Sequence, residues 1–277
     1  MVIHKLPISA VMVIYNEEAV LERALESLAD LVDEIIIVHD GPCKDKSLQI
    51  ATKYKAKIYV RKHVGICEPH RPLTYKKAKN DWILQIDADE YLSEGLRNNL
   101  GKLINTKVDI YDFSWPGFYK NRHYIGPYKR ALFKKSKIVY FGLRHHDPVP
   151  LNKDVVVKKS NYRVIHKPNY EYLELKSFGW KYGKYTKIHA WQLTKGLEKI
   201  PKWNCEEIVL DLKDKIRVDH PIVLGILGSM AYHTLLGLTK FLRKAQFYYL
   251  KQGIFTSIYC GLVFYYVALF KKIDTAN

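Results

Sequence analysis

Two carboxylates, Asp87 and Asp89, stand one residue apart at the end of the apolar run 82–86, Trp-Ile-Leu-Gln-Ile. On an extended segment, residues i and i+2 point to the same side, so this spacing predicts a pair that acts together. Two hard oxygen ligands suit Mn2+ or Mg2+ and leave coordination positions open for substrate phosphates. A cation held there offsets the charge on a departing diphosphate. A solvated acidic turn would carry the same letters, so the pattern gains meaning from its company. Tyr15-Asn16-Glu17-Glu18 closes the apolar run 8–15, and Asp40-Gly41 closes the β-branched run 34–39.

The elements that must position these residues alternate in type. Residues 8–15, 34–39, 57–61 and 82–86 read as strands, the second buried on both faces because it is nearly all β-branched. Residues 17–30, 46–54 and 73–80 carry helical patterns between them, with Glu17 and Glu18 at the positive end of the first helix. Alternation of this kind predicts α/β architecture: a Rossmann-like, mostly parallel sheet flanked by helices. Right-handed crossovers bring the strand C-termini to one edge, where ligands of open α/β sheets bind. The polar residues Tyr15, Glu17, Asp40, Asp87 and Asp89 all fall at that edge. Residues 109–115 and 138–141 read as further strands that complete the sheet. A nucleotide-binding domain over 1–150 is expected, followed by a helical, partly apolar region over 151–277.

The run Val13-Ile14-Tyr15-Asn16-Glu17-Glu18, then Asp40-Gly41, then 78–90 (AKNDWILQIDADE) resembles the family-two glycosyltransferases, and within them the branch that includes lipopolysaccharide core transferases. Arg130-Ala131-Leu132-Phe133 and His146-Asp147 extend the resemblance, with Asp147 where that branch has Glu. The resemblance implies a GT-A fold and an inverting transfer from a nucleotide-diphosphate sugar, UDP- or GDP-linked. It implies that Tyr15 and Glu17 line the nucleoside pocket, that Asp40 reads the base or ribose, and that Arg71 meets the donor, although His70-Arg71-Pro72 departs from the common pattern. It further implies that Asp87 faces the donor sugar or ribose, that Asp89 ligates Mn2+ or Mg2+ with His146 beside the metal, and that Asp147 is the acceptor's general base. Glu90 is the next candidate base should Asp147 prove dispensable. Arg130 and Arg144 are basic enough to grip phosphates, or to serve as surface charges.

The formal net charge of +17 favours anionic partners. Nucleic acid is excluded as the expected partner, since neither a recognition motif nor an aromatic RNA-binding strand is present. A sugar-nucleotide pyrophosphorylase would need glycines after the first strand, and Tyr15-Asn16-Glu17-Glu18 has none. An inactive membrane scaffold is disfavoured by the intact Asp87-Ala88-Asp89. Four scattered cysteines indicate neither a disulfide framework nor a zinc site, which fits a reducing cytoplasm. Residues 222–238 and 254–270 are free of Asp, Glu, Lys and Arg, and basic and aromatic residues lie between them. Seventeen residues is at the lower edge of a membrane span of about 20. Basic-aromatic helices suit an anionic membrane surface. The expectation is a peripheral protein on the inner face of the cell membrane, with a glycan or lipid-linked acceptor.

Overall fold

In the computed structural model, residues 5–144, 146–171, 173–177, 183–219 and 223–275 are described. The chain opens with β1 (Leu6–Ile14), α1 (Leu21–Glu26), β2 (Val32–Asp40), α2 (Ser47–Lys53), β3 (Lys57–Arg61), α3 (Arg71–Lys77) and β4 (Trp82–Gln85). These follow the expected alternation. β1 and β2 are buried along nearly their whole length, as their apolar runs require. Then come β5 (Glu90–Leu92), α4 (Glu94–Ile104), β6 (Ile110–Ser114), β7 (Gly117–Tyr119), β8 (Arg122–Tyr124), β9 (Tyr128–Lys134), β10 (Ile138–Val139), β11 (Val149–Pro150) and β12 (Val157–His166).

Eight strands form one sheet in the order β3-β2-β1-β4-β9-β6-β12-β5. Its β3-β2-β1-β4 half is parallel, β9 runs antiparallel to both β4 and β6, β12 is parallel to β6, and β5 is antiparallel to β12. The fold is therefore of the expected α/β class, with antiparallel strands inserted in its second half. β12 lies beyond residue 150 yet completes this sheet: Val157–Ser160 pairs with Ile110–Phe113, and Val164–His166 pairs with β5. α4 is fixed by its Ser93 cap, whose side chain accepts from the Leu96 N–H, and by Leu96, Leu100 and Ile104 buried on one face. β7 and β8 form a hairpin whose turn residues, Lys120 and Asn121, both have positive φ, the geometry of a tight twist-matched turn.

Two units emerge from the packing: residues 1–169 with 201–206, and residues 170–200 with 207–277. The second is helical, with α5 (Leu175–Ser177), α6 (Gly183–Trp191), α7 (Leu212–Asp219), α8 (Ser229–Lys244) and α9 (Phe247–Thr275). The apolar run expected at 222–238 is described from 223 onward. α8 and α9 cross backbone to backbone. A Cβ on Gly237 would lie 2.7 Å from Gly253 Cα, and one on Gly253 would lie 2.6 Å from Gly237 Cα. The Thr234 and Ser257 hydroxyls meet at 2.8 Å, and Gly261 faces Met230, so α9 presents a small residue every fourth position to α8. α9 also packs its Tyr259, Val263 and Val267 against Ala190 and Leu193. By length and composition, Phe247–Ile273 is long and apolar enough to cross a membrane, but half of its most apolar window is covered within the fold.

Candidate functional site

The loops leaving β1 and β2 interlock. The backbone N–H groups of Glu17 and Glu18 donate to Ser47 Oγ (2.6 Å) and Asp45 Oδ2 (3.0 Å), while Lys44 and Lys46 return N–H bonds to Asn16 Oδ1 (2.8 Å) and Glu18 Oε2 (2.9 Å). Asn16 adopts φ 55° to make this turn, and Gly41 adopts φ 102°. A Cβ at Gly41 would also meet His63 Cβ at 2.9 Å, so glycine is required there. His39 is fully buried beneath the loops. Its Nε2 accepts from the Asn16 N–H (3.3 Å), so Nδ1 carries the proton and donates to the Gly41 carbonyl (2.7 Å). The Tyr15 ring, partly exposed, lies 4.5 Å from the His63 ring.

Asp40 ends β2, as expected, but its carboxylate is already engaged. It accepts from the N–H groups of Val64 (2.6 Å) and Gly65 (2.8 Å) and from His70 Nε2 (2.9 Å), with His63 Nδ1 at 3.1 Å. Burial alone would raise its pKa, but the His70 and backbone bonds outweigh burial and hold it below the usual carboxylate range. Asp40 thus pins the 63–70 segment against the end of β2.

Asp87 and Asp89 do not lie on an extended segment. Glu90 N–H closes a turn onto the Asp87 carbonyl (3.0 Å), and Glu90 Oε2 accepts from the Asp87 N–H (2.8 Å). The turn sends the two carboxylates to different partners. Asp87 receives Arg71 Nη2 and Lys129 Nζ, each at 2.9 Å. Burial works to raise its pKa, but the two cations hold it far below the carboxylate range. Arg71, despite its unusual sequence setting, is therefore brought to the site: it opens α3, almost wholly buried, and also reaches Cys67 Sγ at 3.5 Å. Burial pushes the Cys67 thiol up to about 12. Glu90 is completely buried, bonded to Lys129 Nζ and to Trp115 Nε1 (2.6 Å). Its carboxylate is thereby committed to fixing Lys129 and Trp115.

Asp89 meets a histidine 77 positions away, His166, with Nε2 at 3.1 Å from Oδ2. The pairing of β5 with β12 explains this. Glu90 opposes His166, and the Lys167 N–H donates to the Asp89 carbonyl (2.8 Å), so residue 166 arrives beside residue 89. Adjacent donors on an octahedral Mg2+ or Mn2+ at about 2.1 Å stand about 3 Å apart, so this oxygen–nitrogen pair fits one divalent cation. His146, the histidine expected beside the metal, lies after β10 with its N–H bonded to the Leu143 carbonyl (3.2 Å).

Asp147 follows β10, next to a tethered proline. Arg130 forks onto Asp112 (2.8 and 3.1 Å) and donates a third bond to the Pro148 carbonyl (2.7 Å), tethering the residue after Asp147. Asp147 is an exposed residue, and its carboxyl is subject to two opposed influences. Burial there raises its pKa against the opposing pull of Lys129, Arg130 and Arg71. Arg130 and Arg144 are engaged with protein carboxylates, Asp112 and Glu68 (2.9 Å). Lys129, Trp115 and His166 belong to the site without having been expected there. His166 closes β12 just before Lys167-Pro168, and only the register of β12 against β5 reveals its partner.

The model of the glycosyl transferase family 2 matches residues 9–168. The chain belongs to this family. Its relatives include an uncharacterized glycosyltransferase of Rickettsia bellii, 31% identical over 160 residues that make up 53% of this chain and 54% of that protein. The lipopolysaccharide core biosynthesis glycosyltransferase LpsC of Rhizobium meliloti is 32% identical over 114 residues, 39% of this chain and 41% of that protein. The chain thus spans about half the length, or less, of these relatives. Among solved structures, the mannosyltransferase PcManGT from Pyrobaculum calidifontis, in complex with GDP-Man and Mn2+, aligns over 98% of this chain and 88% of its own at 11% identity and a TM-score of 0.47. S. aureus TarS 1–349 aligns over 97% and 92% at 14% identity and the same TM-score. In this family-2 chain the matched region, 9–168, takes in all of the large sheet except the first three residues of β1, and both Asp89 and His166.

Proposed function

We propose that this family-2 chain is a divalent-metal-dependent, inverting glycosyltransferase that uses a UDP- or GDP-linked sugar. The observation that carries the reading is the Asp89–His166 pair at 3.1 Å, set beside Asp87 and its two cations at the end of β4. Asp89 and His166 would hold Mn2+ or Mg2+, which when bound offsets the charge of the departing diphosphate. Tyr15 and the interlocked 16–18 and 44–47 loops take the nucleoside. Asp40 acts on it indirectly, by holding the 63–70 segment. Arg71 and Lys129 fix Asp87 towards the donor sugar. Asp147 is the general base: its raised pKa makes its carboxylate a better proton acceptor than an ordinary one, and it takes the proton of the acceptor hydroxyl as that oxygen attacks the anomeric carbon.

The second unit supports a membrane-surface location with a glycan or lipid-linked acceptor. α8 leaves Tyr232, Leu235 and Leu242 at 62%, 64% and 70% exposure, with Leu236 and Leu238 beside them and Lys240, Arg243 and Lys244 at its end. An amphipathic helix of this make lies in the interface of an anionic bilayer. On this reading the chain sits peripherally on the inner face of the cell membrane.

The test is Asp89→Ala. Calorimetry should give Mn2+-dependent binding of UDP or GDP to the parent and none to the variant, with the circular dichroism of the two alike. Proton NMR of the transfer product should show the inverted anomer. Equal Mn2+-dependent nucleotide affinity in both proteins would overturn the reading.

A further inference from the structure

Beside Asp89, the strand end that carries His166 continues into a wall of cations and rings. The Trp115 ring lies 4.7 Å from the His166 ring, and Phe118 on β7 lies 5.1 Å from the ring of His123 on β8. The Lys167 ammonium lies over Phe118, 5.9 Å from its centroid. Burial lowers the His123 pKa, and the charges of Lys167, Arg163 and His166 lower it further, so His123 lies within the field of all three. Arg163, Lys167 and His123 are exposed, and among the described residues no carboxylate forms an ion pair with any of them. The nearby acids are already matched: Asp87 and Glu90 to Arg71 and Lys129, and Asp89 to His166.

The wall is built on a closed hairpin. The hairpin is closed by its two positive-φ turn residues. At its base the chain passes so near Trp115 that a Cβ on Gly126 would lie 2.0 Å from the Trp115 carbonyl oxygen, and the Trp115 N–H donates to the Pro127 carbonyl (3.0 Å). Like charges gathered on a ring-backed surface repel one another and find relief in an anion. The Lys167 backbone is itself bonded to Asp89, so an anion on this wall lies next to the place where the donor sugar would be presented.

We propose that Arg163, Lys167 and His123 bind a negatively charged group of the acceptor, a phosphate or a carboxylate, so that the acceptor is an anionic glycan or glycolipid. The inference rests on the glycosyl-transfer reading of the same site. It adds what that reading leaves open, the chemistry of the acceptor. A charge-assisted contact is worth about a tenfold change in affinity.

The experiment uses the full chain with Mn2+ and UDP, or GDP if that is the nucleotide bound. Three probes are compared by saturation-transfer NMR titration at low salt: methyl glucoside 6-phosphate, methyl glucuronide and methyl glucoside. The anionic probes should bind about tenfold or more tighter than the neutral one, and the better of the two identifies phosphate or carboxylate as the group read. Arg163→Gln with Lys167→Gln should erase that preference while nucleotide affinity stays at the parent value, which also shows that the variant is folded. Equal binding of the three probes, binding of none of them, or a preference that survives in the double variant would overturn the proposal. Failure of the parent to bind nucleotide with Mn2+ would instead strike the glycosyl-transfer reading.

Discussion

Lys129 is the most heavily used cation in the site, and replacing it by Met gives the sharpest test of how the site is held. Its ammonium bridges Asp87 and Glu90, with side-chain exposures of 12% for Lys129 and 0% for Glu90. Breaking one partner of a buried pair costs about 3–5 kcal/mol, because the other charge stays behind. Asp87, at 35% side-chain exposure and still held by Arg71, adds little to this. In Lys129→Met, burial and the charges of Asp87 and Asp89 act on Glu90, and all three raise its pKa. A carboxyl whose folded pKa exceeds its unfolded value of about 4.3 weakens the fold as pH rises between the two. The deficit is therefore small near pH 4 and full near pH 8. The assay is amide hydrogen exchange of β4 and β9 peptides, where about 3 kcal/mol corresponds to roughly a hundredfold faster exchange. Adding Glu90→Gln should recover part of the loss at pH 8, since the amide oxygen still accepts from Trp115. Parental exchange in Lys129→Met, or an equal deficit at pH 5 and pH 8, would refute the assignment of Lys129 as counter-charge to a buried Glu90.

Asp147→Asn should lower turnover about 10²–10⁴-fold with nucleotide affinity unchanged. Because burial raises the Asp147 pKa, the acid limb of the parent's pH–rate profile should sit above the ordinary carboxylate range, and the residual rate of the variant should lack that limb. Asp40→Asn puts an amide donor against an N–H of Val64 or Gly65, at a cost of about 1–3 kcal/mol. It should weaken nucleotide binding more than it slows turnover at saturating donor. Since the folded Asp40 pKa is lowered, the parent's thermal advantage over this variant should be full above about pH 4 and vanish as pH falls through the depressed value. Leu235→Ser with Leu242→Ser should cut co-sedimentation with anionic vesicles about a hundredfold, because each leucine buried in the interface is worth about 1.5–3 kcal/mol. Unchanged sedimentation would count against α8 as the membrane face.

What the sequence revealed, and what it hid, divides by range. β3 falls at residues 57–61 as its pattern predicts, and β1, β2 and β4 fall within a few residues of their apolar runs. Each of these is a local pattern that a buried strand imposes on its own residues. α1 is shorter than the pattern over 17–30, because Glu17 and Glu18 are drawn into loop bonds with residues 45–47 before the helix begins at Leu21. α4 was missed although Ser93 and Leu96, Leu100 and Ile104 signal it.

The site follows the same division. Asp40, Asp87 and Asp89 could be placed at strand ends, because a strand end is a property of nearby residues. Their partners could not. Lys129 is 42 positions from Asp87, and His166 is 77 from Asp89, and each is delivered by the register of an antiparallel pairing. Antiparallel strands inserted into a parallel sheet thus do chemical work here. β9 brings a cation to the buried carboxylates, and β5 against β12 brings an imidazole to the outer one. A shift of one residue in the β5–β12 register would turn His166 to the other face and put Ile165 or Lys167 beside Glu90. The Asp89–His166 pair therefore depends on Tyr91 and Leu92 pairing with Ile165 and Val164 as much as on its own two residues. Buried Leu92 and Val164 fix that register, since a slip would turn one of the pair away from the core while the other stayed in it.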